Sequence, residues 1–151
     1  MKEIGKSPVV LKKEITGFIV NRVQVAMLRE AFHLMEQGVA TAEDIDIAMK
    51  GSMGFKWAFC GPMESQDLAG LQTTKAMVGN IMQDLSNTRE VPSFLKEMVE
   101  KDELGIRTNE GFYKYDDYGE NAIHTRDDHF LDLLKLMQEK ANKENGLINS
   151  K

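Results

Sequence analysis

Between Gly17 and about Gln37, apolar residues recur at helical spacing and fill most of the circumference. One stripe runs Phe18, Asn21, Val25, Leu28, Phe32, Met35, and a narrow polar ribbon holds Arg22, Arg29, His33 and Glu36. The pattern predicts a long helix buried on most sides and ended by Gly38. Asn21 alone interrupts the apolar stripe. Thr41-Ala42-Glu43-Asp44 has the spacing of a capping box, opening a short helix through Ile45, Ala48 and Met49. Gly51 and Gly54 bracket an expected turn. Pro62 suits the first position of a helix that breaks near Gly70 and restarts at Leu71, continuing to Leu85. Pro92 opens another, with Phe94, Leu95, Met98 and Val99 apolar. Glu103 to Tyr115 carries Gly105, Asn109 and Gly111, which predicts a loop packing Phe112 and Tyr113 back onto the body. Thr125 is the expected cap of a last helix whose apolar set is Phe130, Leu133, Leu134, Met137 and Ala141. Only residues 7–11, SPVVL, have strand composition, and one strand is not stable alone. The expected fold is therefore all-α, with five or six helices and a tail at 145–151 that frays.

Composition narrows the function classes. The 151 residues suit one domain with a core of its own. A net charge of −5 disfavours a nucleic-acid partner. No apolar run is long enough for a membrane span, and the N-terminus lacks a signal-peptide centre. A single cysteine, Cys60, forms no internal disulfide, which fits a reducing, cytoplasmic setting.

Chemistry-bearing residues are sparse. His33, His124 and His129 lack metal-ligand spacing, so no metal site is expected. Neither G-x-G-x-x-G nor a P-loop occurs. Two residues stand out. A buried unpaired amide costs about 1–3 kcal/mol, so Asn21 needs a partner. Either its side chain bonds backbone in the first helical turn, or it faces a cleft and holds a ligand or another catalytic side chain. Arg107, in the aromatic loop, is either a solvated charge or a ligand contact.

The segments KEITGFIVNRV, REAFHLMEQGVATAEDIDIAM, GPMESQDLAGL and LGIRTNEGFYKY, in that order, resemble the C-terminal domain of the L-3-hydroxyacyl-CoA dehydrogenase family. The resemblance spans about residues 7 to 140. It implies a multi-helix domain like the C-terminal domain of 6-phosphogluconate dehydrogenase. Residues 1–16 would be a lead-in and last strand of an N-terminal Rossmann domain, and 17–144 the substrate and dimerisation domain. It implies NAD as cofactor, an acyl-CoA substrate oxidised at its 3-hydroxyl in fatty acid metabolism, and a homodimer. The family's catalytic histidine and glutamate come from the Rossmann domain, and its His-x-x-Asn-Pro segment is missing here. The chain thus resembles a separated domain, expected to be inactive alone. By the same resemblance Asn21 stands beside the catalytic histidine and the substrate oxygen, and Arg107 approaches the dinucleotide. FKWAFCGPMES and the tail TRDDHFLDLLKLMQEK lean towards the λ-crystallin-like branch, similar to L-gulonate 3-dehydrogenase, which makes a free 3-hydroxy acid the alternative substrate. A stand-alone dimerisation or acyl-binding module is the reading from another class.

Overall fold

The computed structural model describes residues 9–148, with side chains described through Lys140. Seven α-helices follow one another among the described residues: α1 (Val20–Glu36), α2 (Ala42–Met49), α3 (Phe55–Trp57), α4 (Pro62–Ala69), α5 (Leu71–Ile81), α6 (Ser93–Glu100) and α7 (Glu120–Ile148). No strand occurs among them, so the all-α expectation holds. Ser7 and Pro8 of the expected strand lie outside the described residues, and Val9 to Leu11 form no regular element.

Helix α1 starts three residues later than its pattern suggested. Gly17 and Phe18 both take positive φ, +79° and +51°, and make a turn before it. Its end is as expected. Gly38 (φ +65°) donates its N–H to Met35 O at 3.0 Å, and Val39 donates to Leu34 O at 2.9 Å. This pair of bonds closes the helix in a Schellman arrangement, which needs the left-handed backbone glycine adopts without strain.

Thr41 does cap α2. Its hydroxyl accepts from Asp44 N at 3.1 Å, and Asp44 Oδ2 accepts from Thr41 N at 3.0 Å. The turn expected at Gly51 and Gly54 is absent. Residues Lys50–Gly54 instead form one wide π-helical turn that joins α2 to α3 without a break. The extra residue per turn keeps the chain helical where two glycines would otherwise end it. Pro62 occupies the first turn of α4, and Gly70 (φ +89°) separates α4 from α5 as expected. Helix α5 ends at Ile81, short of Leu85. The cap expected at Thr125 is also corrected. Helix α7 begins at Glu120, whose N–H donates to Asp117 Oδ1 at 3.1 Å, so Thr125 and both His124 and His129 lie inside it. It is helical through Ile148, within the stretch expected to fray; residues 149–151 lie outside the description.

Three phenylalanines join distant segments. Phe32 of α1, Phe94 of α6 and Phe112 of the 103–115 loop form a triangle with ring centroids 5.6, 6.0 and 6.4 Å apart. The loop is further tied down where Tyr113 Oη donates to Asp46 Oδ2 at 2.8 Å. Phe112 and Tyr113 therefore pack back onto the body, as their sequence context suggested.

The expected burial of α1 is not found. No residue of α1 is buried, and Val20 and Val25 are 73% and 63% exposed. Among the described residues, only Gly119 is buried. The accessible surface is 13213 Å², against about 7,800 Å² for a compact monomer of this mass. The apolar faces legible in the sequence exist, but this chain alone does not cover them.

Candidate functional site

A groove of about 690 Å³ runs between α1 and the 88–95 segment. Its floor is the α1 stripe Val25, Leu28 and Phe32, together with Pro92 and Leu95. Asn21 sits at one end, beside the Thr16–Gly17 turn. Arg22 and Arg29 stand along the α1 edge, and Thr88, Arg89 and Glu90 line the other side. The far wall is fastened to α1: Glu30 Oε2 accepts the Ser86 N–H at 2.9 Å. A polar rim over an apolar floor is the usual make-up of a small-molecule site.

Asn21 is exposed, and among the described residues its side chain makes no hydrogen bond. The local reading, in which the amide is used up by first-turn backbone, therefore does not describe this structure. The amide's N–H₂ and C=O remain available to whatever enters the groove. The positive φ of Phe18, a conformation uncommon for a bulky residue, lies three residues before it. Arg107 is exposed in the loop between Gly105 and Glu110 and is not part of the groove wall, so the two singled-out residues are not brought together.

Sequence reasoning missed the rest of the rim. The sequence pattern marks Arg22 and Arg29 only as members of a narrow polar ribbon, although their seven-residue spacing places them on one face two turns apart. Arg89 carries no periodic signal, because it lies in an irregular segment. Elsewhere the half-buried Cys60 shares a hydrogen bond with Ser65, Sγ to Oγ 3.5 Å, which ties the thiol into local structure. No group of three or more His, Cys, Asp or Glu could hold a metal ion among the described residues. No helix there is long and apolar enough to cross a membrane.

The family model described as "3-hydroxyacyl-CoA dehydrogenase, C-terminal domain" matches residues 17–115, a span that contains every groove-lining residue except Thr16. The chain belongs to this family. It is 40% identical over 115 residues to a 5-formyl-3-hydroxy-2-methylpyridine 4-carboxylate 5-dehydrogenase of Mesorhizobium japonicum, covering 76% of this chain and 37% of that protein. It is 46% identical over 116 residues to the human mitochondrial hydroxyacyl-coenzyme A dehydrogenase, covering 76% and 36%. Rabbit λ-crystallin (Oryctolagus cuniculus) matches at 44% over 68 residues, 45% of this chain and 21% of that one. A crystal structure of a 5-formyl-3-hydroxy-2-methylpyridine 4-carboxylic acid 5-dehydrogenase, an NAD+-dependent dismutase, superposes with a TM-score of 0.83 at 36% identity, covering 91% of this chain and 45% of that one. The chain spans about a third of the length of the first two curated relatives.

The match places the chain with the helical C-terminal domains of a dehydrogenase family. The residues present do not fit a dinucleotide site of their own. Among the described residues there is no strand, and hence no strand–turn–helix to cradle a pyrophosphate.

Proposed function

We propose that this chain is the substrate-binding and dimerisation domain of an NAD-dependent L-3-hydroxyacyl-CoA dehydrogenase. It acts when a Rossmann domain is joined to it or docked against it, and works in fatty acid metabolism in the cytoplasm. The observation that carries the reading is the unpartnered Asn21 amide at the end of an apolar groove within the family-matched span. When bound, NAD+ supplies the hydride acceptor, and its site lies on the Rossmann domain. Asn21 would donate an N–H to the substrate oxygen, fixing the carbinol and stabilising the oxygen as the hydroxyl proton leaves for a histidine of the other domain. Arg107, solvent-exposed on its loop, would approach the dinucleotide from this side. The apolar floor beside Asn21 suits the acyl carbons. Domains 17–144 and 1–16 keep the roles the resemblance implies.

The homodimer is part of the same reading. Helices α4 and α7 leave Met63, Leu68, Phe130 and Leu134 at least half exposed. Large apolar side chains left this exposed are covered in solution, and a second copy covers them symmetrically. The TM-score of 0.83 to a solved chain supports the open backbone arrangement itself.

A free hydroxy acid is the second reading. It is favoured by the cationic rim of the groove and by the pyridine carboxylate in the name of the Mesorhizobium relative. The deciding experiment joins the chain to a family Rossmann domain and compares 3-hydroxybutyryl-CoA with 3-hydroxybutyrate and L-gulonate as NAD+ reductants. Turnover of the thioester well above the acids supports the first reading. The reverse order selects the second. Specific binding by the chain with no turnover of any of them points to the stand-alone module.

A further inference from the structure

We propose that Arg29, flanked by Arg22 and Arg89, forms an anion subsite in the groove, recognising a negatively charged oxygen group on the ligand. Two sources share this chemistry, the carboxylate of a free hydroxy acid and a phosphate of a CoA ester. The inference rests on the groove being the substrate site.

The chain is acidic overall, with 24 Asp and Glu against 19 Lys and Arg. The groove inverts that balance. Its rim holds three arginines against two acids, Glu36 and Glu90. None of these five takes part in an ion pair among the described residues. Arg22 makes one long bond, Nη1 to Thr16 O at 3.4 Å, which leaves its other donors open. Arg29 makes no side-chain hydrogen bond among the described residues. It projects from α1 two turns, about 10 Å, beyond Arg22, and Arg89 stands on the opposite wall.

Arg22 and Arg29, two turns apart on α1, and Arg89 on the facing wall have no carboxylate partner among the described residues, which leaves donors open towards the groove. A bound anion takes up such donors, and a planar guanidinium grips it with two parallel N–H bonds. The apolar floor contributes as well, since a charge pair beside low-dielectric residues is stronger than one in open water. A ligand with its hydrocarbon part over Val25, its hydroxyl at Asn21 and its anion at Arg29 would engage both the free amide and the unpartnered guanidinium of the α1 wall.

The test is equilibrium binding to the full chain, with no dinucleotide and no turnover required. Calorimetry would compare 3-hydroxybutyrate, its uncharged methyl ester and CoA, with amide chemical shifts to locate the ligand. The expected result is that an anion perturbs residues 21–32 and 86–92, and that the ester binds at least tenfold more weakly than the acid. Arg29→Gln should weaken anion binding tenfold or more, with Arg29→Lys recovering part of it and helix content unchanged by circular dichroism. Preference for the acid over CoA assigns a carboxylate, and the opposite preference assigns a phosphate. Equal binding of acid and ester, shifts elsewhere, or an Arg29→Gln variant that binds like the parent overturns the proposal. The dehydrogenase reading fails separately, by lack of turnover in the joined protein while the Arg29 dependence of binding persists.

Discussion

At the level of single residues, Asn21 is the side chain with the most to explain. An amide on an otherwise apolar stripe was conspicuous in the sequence, and the structure leaves it without an internal partner among the described residues. In the joined dehydrogenase, Asn21→Ala should lower kcat on the order of a hundredfold while the Kd for NAD+ is unchanged. Equal losses in both would indicate a folding role. Thr41 and Asp44 make a second, purely structural pair. Hydrogen bonds from the Thr41 side chain and backbone hold the Asp44 carboxyl below its usual 3.8. A folded-state value below the unfolded one stabilises above pH 3.8 and is lost as pH falls through the folded value. Thr41→Ala should cost on the order of 1 kcal/mol in urea unfolding and flatten the acid limb of the stability curve. Tyr113 has the opposite sign. Desolvation, then the bond to Asp46, pushes its phenol up to about 12. Its contribution is complete below the unfolded value of 10 and disappears as pH rises through about 12. Alkaline melting curves of Tyr113→Phe should therefore lack the loss of stability that the parent shows between those values.

Among the elements, those whose boundaries depend on one local rule were legible in advance. Gly38, Thr41, Pro62 and Gly70 each mark an end by φ preference, capping or a missing N–H, and each does so in the structure. Elements decided by competition were not. Gly51 and Gly54 look like a turn, but Ser52 Oγ donates to Ala48 O at 2.6 Å and the chain stays helical through a π turn. Thr125 looks like a cap, but Asp117 serves α7 two turns earlier, through Glu120 N and the Asn121 side chain. The 103–115 loop depends on a close crossing. A Cβ at Gly111 would lie 2.8 Å from Gly105 Cα and 2.9 Å from Gly105 N, both backbone atoms with no rotamer to yield. Gly111→Ala should cost about 1–3 kcal/mol, detectable as a lowered melting temperature, and should release the Tyr113–Asp46 contact. The groove was only half legible. Its α1 side follows from helical periodicity, whereas its 88–92 side is irregular and is placed by one long-range bond, Glu30 to Ser86.

For the whole molecule, the sequence pattern correctly marked α1 as apolar nearly all round, and the expected homodimer is one way to cover it. Periodicity reports which face wants burial and carries no information on which molecule supplies it. If a second copy does, sedimentation at micromolar concentration should give about twice the 17.1 kDa chain mass, and the melting temperature should rise with protein concentration. A concentration-independent monomer would count against the pairing. The phenylalanine triangle has a further consequence at this scale. Phe32 is at once a vertex of that triangle and part of the groove floor, whereas Phe112 lines no part of the groove. Trimming Phe112 should thus be felt by a bound molecule it never meets, as ring 32 tilts into the vacated space. Selectivity in this protein would then be tunable from a hairpin-like excursion some eighty residues downstream, through a single hinge of stacked carbon.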